Sequence, residues 1–317
     1  MFSVVIPVWN AAHTLERTLR GVLAQTFVAF EVIVVDDGST DRSVDVVRRF
    51  DDARIRIVTR AHAGPGAARN AGMAAARHEW VAFLDADDLW LPDHLAELDR
   101  VRARHPEAGL IGTRCVESDR GGRFRIPNEA APTIETIRYF DCIARDPFTL
   151  SSSSAAVPRR VWASVGGFGE FPTGQDNEYW ARIAMRFPVA RSTRTTAVYM
   201  RGTGGISDRV GTRWLGRELR ALSDLSPAVA LVMQHYDTTD DARLRQDFDR
   251  FIARVVNNCL RASIVARDLP TLRALPRIGR GRLRPFQRLL LAIAALPAPI
   301  ARAAYLLGTA IRNTLVR

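Results

Sequence analysis

Blocks of continuous apolar residues alternate with amphipathic segments along the first hundred or so positions. Ser3 to Val8 (Ser-Val-Val-Ile-Pro-Val) predicts a short strand, and the helix after it, from about Thr14 to Ala24, carries Leu15, Leu19, Val22 and Leu23 on one face. Glu31 to Val35 is a second, β-branched strand, Ser43 to Phe50 a second helix, and Arg54 to Thr59 a third strand. The loop Ala63 to Asn70 enters a helix reaching about Arg77, and Trp80 to Leu84 is a fourth apolar run. Strand, helix, strand in this order predicts right-handed parallel βαβ units, which open the carboxyl ends of the strands on one edge of the sheet.

That edge is acidic. The second strand closes in Asp36-Asp37-Gly38-Ser39-Thr40-Asp41, and the fourth in Asp85-Ala86-Asp87-Asp88. Ligands of open α/β sheets bind at such an edge. Carboxylates crowded there repel one another, and a hard divalent cation carrying a substrate phosphate offsets the charge. A simpler role fits the same residues: Asp87 and Asp88 as caps of the helix that Leu91-Pro92-Asp93 starts, and Ser39 or Asp41 as caps of the helix from Ser43. The loop Ala63-Gly64-Pro65-Gly66-Ala67-Ala68-Arg69-Asn70 fails as a dinucleotide fingerprint, because Arg69 stands where the third glycine belongs and the loop does not follow the first strand. It reads either as a carrier of the Arg69 cation towards phosphates or as an ordinary helix start.

Farther on, Ala108 to Arg125 reads as a hairpin around an Asp-Arg-Gly-Gly turn, and Pro127 to Asp146 as helix and loop. Ser151 to Ser154 reads as a strand edge leading into Ala155-Ala156-Val157, since no histidine or elbow-type glycine supports a nucleophile there. A helix follows from Pro158 to Val165. After Gly166-Gly167-Phe168, the segment Gly174-Gln175-Asp176-Asn177-Glu178 opens a helix, where Asp176 is stabilised as an anion and fits a cap. Thr195 to Met200 is a strand, and the loop Arg201 to Ser207 follows it. Helices are expected at about Trp214–Leu222, Pro227–His235 and Ala242–Arg267.

Composition changes this picture in one place. The chain has 317 residues, 47% hydrophobic and 25% charged, as ordinary globular proteins have. Its net charge is +11, and all 45 basic residues are arginine. From Arg267 onward ten arginines face one acid, Asp268, so the tail holds 10 − 1 = +9 and the rest 11 − 9 = +2. A basic tail points to an anionic surface. Nucleic acid is excluded as the expected partner, because the tail lacks interleaved aromatics and the candidate site is acidic. The run Leu289 to Ala301, thirteen residues interrupted by Pro297 and Pro299, is short of the roughly 20 that span a bilayer. The tail therefore reads as lying in a lipid interface, or as a helical hairpin packed on the protein. Cys115, Cys142 and Cys259 lie far apart, without metal spacing, as in a reducing compartment. The first residues enter a strand without a basic leader, so a cytoplasmic protein, at the inner face of the cell membrane if the tail binds lipid, is expected.

Several ordered segments then combine. Val5-Ile6-Pro7-Val8-Trp9-Asn10, Gln25-Thr26-Phe27, Glu31 to Asp41, Arg69-Asn70-Ala71-Gly72 and Phe83-Leu84-Asp85-Ala86-Asp87-Asp88 resemble the successive signatures of family 2 glycosyltransferases. The resemblance implies an α/β, GT-A-type nucleotide-sugar-binding sandwich with a mainly parallel central sheet, followed by a helical C-terminal region. The expected domains are 1–207 for catalysis, 208–269 as a helical accessory region and 270–317 as the basic amphipathic tail. It further implies that Pro7, Val8 and Asn10 line the nucleoside pocket, with Trp9 where the family usually has tyrosine, and that Asp37 hydrogen-bonds the base. Asp85 and Asp87 would be the DxD pair, Asp85 facing ribose or metal and Asp87 binding Mn²⁺ or Mg²⁺ directly. Asp176 would be the general base, in a family Glu-Asp pair whose first member is here Gln175, with Glu178 as the fallback. Arg201, after the last strand, would by the same resemblance neutralise the departing diphosphate, while Arg69 keeps the two readings of its loop, as a substrate-phosphate contact or a helix-start arginine.

The expected activity is inverting, metal-dependent transfer from a nucleoside-diphosphate sugar, UDP-sugar favoured, to a hydroxyl of a glycan or lipid-linked acceptor in cell-surface polysaccharide or glycolipid synthesis. Two other readings stand beside it. A nucleotidyltransferase making the sugar nucleotide would bring a glycine-rich, lysine-bearing loop after the first strand, where this chain has Pro-Val-Trp-Asn. A non-catalytic, membrane-attached nucleotide-sugar-binding protein would be signalled by loss of Asp87 or Asp176, and both are present.

Overall fold

A computed structural model describes residues 1–128, 131–146, 149–204, 219–266 and 268–278. The chain divides into two compact units, Met1–Arg209 and Val210–Arg317. The first is built on a nine-stranded sheet of order β3-β2-β1-β4-β8-β6-β9-β5, with β7 paired to β9. Its strands are β1 (Phe2–Val8), β2 (Phe30–Asp36), β3 (Ile55–Thr59), β4 (Trp80–Phe83), β5 (Leu89–Trp90), β6 (Leu110–Glu117), β7 (Ile134–Ile137), β8 (Ala155–Pro158) and β9 (Val189–Tyr199).

β1 to β4 pair in parallel, and every residue of β2 and β4 is buried, as strands covered on both faces must be. Their connections are α1 (Leu15–Leu23), α2 (Ser43–Arg48) and α3 (Pro65–Ala75). Val8 pairs with Asp36 and Asp36 with Thr59, so β1, β2 and β3 end level, while β4 stops opposite Val5, three residues short of the end of β1; Asp37, Asp85 and Asp87 follow the carboxyl ends of these parallel strands on one edge of the sheet. β6 also runs parallel to β9, while the β4–β8, β6–β8, β5–β9 and β7–β9 pairings are antiparallel.

α3 approaches β1 closely because Gly72 has no side chain: a Cβ there would lie 2.3 Å from Val5 Cγ1. In an open helix, Gly to Ala would gain about 1 kcal/mol from propensity alone. Here Gly72→Ala is expected to destabilise the unit by about 2 kcal/mol, since overpacking a filled core costs about 1–3 kcal/mol. A urea midpoint that rises instead would rule out the close contact.

Several local expectations are corrected. The 108–125 hairpin does not form: the Asp119–Gly122 turn is present, with Gly122 at φ +77°, but 123–128 form no strand. β6 pairs instead with β9 along Leu110 to Glu117 and with β8 at Ile111 and Gly112. The helix expected to start at Leu91-Pro92-Asp93 is present as α4 (His94–Arg104), with Asp93 at its N-cap. Leu91 N–H donates to Thr196 O at 2.9 Å, Pro92 O accepts from Thr26 N at 2.8 Å and Leu91 O accepts from His94 N at 3.1 Å, so a turn at Pro92-Asp93 leads from β5 into the helix. Ser152–Ser154 form a 3₁₀ turn, not a strand edge. β7 and the first six residues of β9 are not legible as strands in the sequence. Among the described residues the unit also holds α5 (Tyr139–Arg145), α6 (Arg159–Val165) and α7 (Gln175–Ala184).

The second unit is helical where it is described: a 3₁₀ turn at Leu222–Leu225, α8 (Pro227–Tyr236), α9 (Ala242–Ala266) and α10 (Leu269–Ile278). Ser226 Oγ caps α8 by accepting from Val229 N at 3.2 Å, with Pro227 at the first position. Most of the expected helix Trp214–Leu222, and the tail segments Leu289 to Ala301 and Ala303 to Ile311, lie outside the described residues. Among the described residues no helix is long and apolar enough to cross a membrane.

Candidate active site

At the end of β1 the chain must turn sharply, and Asn10 does so at φ +51°, a left-handed conformation that asparagine tolerates. Its Oδ1 accepts from Thr40 N at 2.8 Å and Asp41 N at 3.2 Å, while its own N–H donates to Ser39 Oγ at 3.1 Å. Asp41 Oδ1 in turn accepts from Ser43 N at 2.9 Å, and Ser43 Oγ accepts from Ala11 N at 2.9 Å. The motif residues after β1 and β2 thus tie two loops to each other. The side chain of Val8 is buried in the core, so only its backbone faces the loops; its carbonyl accepts from Asp37 N at 2.8 Å. Pro7, the adjacent position, is half-buried.

Asp37 is 2% exposed, and its carboxylate is heavily used: it accepts from Gly64 N at 2.7 Å and Ala63 N at 3.2 Å, and pairs with Arg60 at 3.2 Å and His62 Nδ1 at 2.9 Å. This residue therefore fastens the loop after β3. Trp9, 43% exposed, stacks on His62 with ring centroids 4.6 Å apart, so an open aromatic platform stands beside that carboxylate.

The three carboxylates after β4 have different surroundings. Asp85 Oδ1 takes Arg69 Nη2 at 2.5 Å, and Oδ2 takes Ser152 Oγ at 2.7 Å. Asp87 Oδ2 takes Thr203 Oγ1 at 2.7 Å. Asp88 is buried, accepting from Ser153 Oγ at 2.5 Å and Met200 N at 2.9 Å. Burial, then the charge of Asp85, pushes the Asp87 carboxyl above its ordinary value; burial, then Asp87 and Asp85, pushes Asp88 well above it. Asp88 is thus a structural anchor between β4, the 3₁₀ turn and the end of β9, while Asp85 and Asp87 are less buried and remain the candidate pair. The loop that carries them is further fixed from α1, where Thr18 Oγ1 bonds Ala86 O at 3.0 Å and Asp88 O at 2.9 Å. Gln25, in the Gln-Thr-Phe segment, donates to Leu91 O at 2.7 Å and accepts from Leu95 N at 2.9 Å, which caps α4.

Arg69 is buried against the Phe168 ring, 5.5 Å from guanidinium carbon to centroid, and its Nε and Nη1 meet no hydrogen-bond partner. Asn70 bonds Phe168 in both directions, at 2.7 and 2.9 Å. A Cβ on Gly66 would lie 2.5 Å from Gly169 O and 3.6 Å from Gln175 Cγ. Through these contacts α3 brings the Gly-Gly-Phe element and the start of α7 to the Asp85 side of the site. Asp176 sits in the first turn of α7 and accepts from Asn177 N at 2.8 Å. Glu178 is held by Arg182, at 2.5 and 2.9 Å, and Arg182 also bonds the carbonyls of Val165 and Gly167. Glu178, the fallback base, is thus engaged by Arg182, whereas the Asp176 side chain bonds only its neighbour Asn177 among the described residues. Arg201 pairs with Glu117 at 3.0 Å, and its N–H donates to Ser118 Oγ at 2.9 Å, which places it at the end of β6.

Ser152, Ser153, Thr18 and Thr203 escape sequence reasoning. Each is a common hydroxyl residue whose partner is distant in sequence, and a serine run carries no signal of which carboxylate it will meet.

Comparison with known proteins adds a family. The family model described as Glycosyl transferase family 2 matches residues 3–162. The succinoglycan biosynthesis protein ExoO of Rhizobium meliloti is 43% identical over 130 residues, 40% of this chain and 37% of that protein. The UDP-Glc:alpha-D-GlcNAc-diphosphoundecaprenol beta-1,3-glucosyltransferase WfgD of Escherichia coli is 38% identical over 96 residues, 30% of this chain and 38% of that one. The matched regions thus span about a third of these relatives' length. Among solved structures, S. aureus TarS 1-349 in complex with UDP-GlcNAc has a TM-score of 0.68 at 18% identity, covering 97% of this chain and 92% of its own. The mannosyltransferase PcManGT from Pyrobaculum calidifontis, in complex with GDP-Man and Mn²⁺, has a TM-score of 0.57 at 20% identity, covering 96% and 86%. At these identities the two structures speak to fold.

Proposed function

Since the chain belongs to glycosyl transferase family 2, we propose that it moves a sugar from a nucleoside-diphosphate sugar to an acceptor hydroxyl, with inversion at the anomeric carbon. The observation that carries this reading is the meeting of Asn10, Asp37, Asp85 and Asp87 at one edge of the parallel strands, with the buried Arg69 paired to Asp85. The exposed Trp9 offers the base a face to stack on, and the Asp37-bound loop closes that side. That TarS was solved with UDP-GlcNAc supports a UDP-sugar as the first donor to try.

A divalent cation fits the site in one respect: Asp87 and Asp85 are neighbouring negative groups, one of them buried enough to be pushed towards neutrality. Among the described residues no three histidine, cysteine or acidic side chains cluster as metal ligands. Asp87, with Asp85 assisting, would then hold Mn²⁺ or Mg²⁺ together with substrate phosphates and water, as loosely chelated Mg²⁺ usually is bound. Such a cation would supply positive charge against the negative charge developing on the departing diphosphate. Arg69 adds fixed positive charge beside Asp85. Asp176, in the first turn of α7, takes the proton of the attacking acceptor hydroxyl. The acceptor class is a glycan or a lipid-linked glycan of the cell surface, supported by the roles that the names of ExoO and WfgD print.

The test is release of nucleoside diphosphate from a panel of nucleotide-sugars, with Mn²⁺, with Mg²⁺ and with chelator. Turnover of one donor, abolished by chelator and restored by metal, is the expected result. A folded protein that neither binds nor turns over any donor overturns the proposal, and turnover untouched by chelator removes the metal from it.

A further inference from the structure

The loop that replaces the expected hairpin has an unusual surface. Asp119 orders it: Oδ1 accepts from Gly121 N and Arg123 N, both at 2.9 Å, and Oδ2 pairs with Arg123 Nε at 3.0 Å. This carboxylate closes the turn and leaves the next side chains pointing to solvent. Phe124 is 39% exposed and Ile126 46%, two of the few large apolar side chains at the surface among the described residues. Arg120, Arg123 and Arg125 alternate with them and are all exposed, so three cations face one acid, Asp119, for 3 − 1 = +2.

The position of the loop gives that surface a direction. Ser118 N donates to Tyr199 O at 2.9 Å, and Ser118 Oγ accepts from Arg201 N at 2.9 Å. A Cβ on Gly202 would lie 2.8 Å from Arg120 O. The loop is therefore packed on the 199–203 segment, whose Thr203 bonds Asp87. It stands at the rim of the candidate active site.

We propose that the 119–126 loop seats this rim on an anionic lipid bilayer, with Phe124 and Ile126 entering the boundary between headgroups and acyl chains, and Arg120, Arg123 and Arg125 meeting the lipid phosphates. Apolar side chains flanked by cations match a surface that offers hydrocarbon and negative charge within a few ångströms. The long arginine stems can lie along the apolar layer while their guanidinium groups stay at headgroup level. A free glycan would satisfy Phe124 by stacking, but it offers nothing to Ile126, which has no flat face. The inference rests on the proposed function only in what it is for, holding the site where a lipid-linked acceptor is presented; the contact with lipid is tested separately.

The full chain is sedimented with vesicles of phosphatidylcholine alone and of phosphatidylcholine mixed with phosphatidylglycerol. Wild type is expected to bind the anionic vesicles, and Phe124→Ser combined with Ile126→Ser to bind them about ten-fold more weakly or worse. In the Phe124→Trp variant, the fluorescence of the introduced indole is expected to be quenched by brominated lipid in the anionic vesicles. Donor hydrolysis without vesicles is expected to be equal in wild type and the double variant, which separates failure of this inference from failure of the glycosyltransferase reading. Equal sedimentation of the double variant, which would assign lipid binding to another part of the chain, overturns the inference. So does a wild type that ignores anionic vesicles, or a Phe124→Trp variant whose fluorescence brominated lipid leaves unchanged.

Discussion

Asp176→Asn is expected to lower glycosyl transfer by about a thousand-fold while leaving donor affinity within about two-fold, because general-base catalysis contributes some 10²–10⁴ in rate. The amide keeps the size and the Oδ1 acceptor that now binds Asn177 N, so α7 should form as before. What it removes is the ability to take a proton. A carboxylate can accept the proton of the attacking hydroxyl, and the neutral amide cannot. Glu178→Gln makes the contrasting case. Its carboxylate is braced by Arg182, which also ties the Val165 and Gly167 carbonyls, so its loss should show in stability more than in the chemical step. Transfer rates with a found acceptor, paired with calorimetric donor titration, separate these outcomes. A fall of less than about ten-fold in Asp176→Asn would remove it from the base role.

Which parts of this are visible in the sequence follows from the range of the interactions involved. β1, β2 and β4 are buried on both faces, so each reads as a largely apolar run, and the residues that follow the runs are those of the candidate site. Asn10, Asp37, Asp85 and Asp87 are legible for that reason. β5 has two residues, β7 lies against β9 alone, and β9 shifts register around Arg114 of β6; none of these has a local pattern to read. The hairpin fails because a turn signal is local while strand pairing is not: β6 finds its partners about forty and eighty residues away. The same limit hides Ser152 and Ser153, whose hydroxyls meet Asp85 and Asp88 across 67 and 65 positions. Asp88 reads with its two neighbours as one acidic cluster, and only its burial tells the anchor from the site.

His94 makes the second large prediction, and it concerns stability in acid. The ring is fully buried at the start of α4, stacked on Trp90 at 4.2 Å between centroids, with Nδ1 2.8 Å from Thr196 Oγ1 and Nε2 without a partner. Burial pushes its pKa down to about 3, because protonation would set a charged N–H at Nε2 with nothing to accept it. An unfolded histidine titrates near 6.5, so between that value and about 3 the unfolded chain binds the extra proton and the folded one does not. Stability from this group is therefore complete above about pH 6.5 and falls as the pH drops, by about 1.4 kcal/mol per unit. From pH 7 to pH 5 the loss should reach about 2 kcal/mol. Asp87 and Asp88, with raised values, act in the opposite direction over overlapping pH, so the quantity to measure is the difference between wild type and His94→Gln. Glutamine can still bond Thr196 but cannot take the proton. Denaturant unfolding followed by tryptophan fluorescence, with Trp90 beside the mutated position, should show the wild type losing ground to the variant as the pH falls from 7 to 5. Parallel pH profiles would mean that the imidazole is protonated in the folded protein, and the dry packing between α4 and β9 would have to be given up.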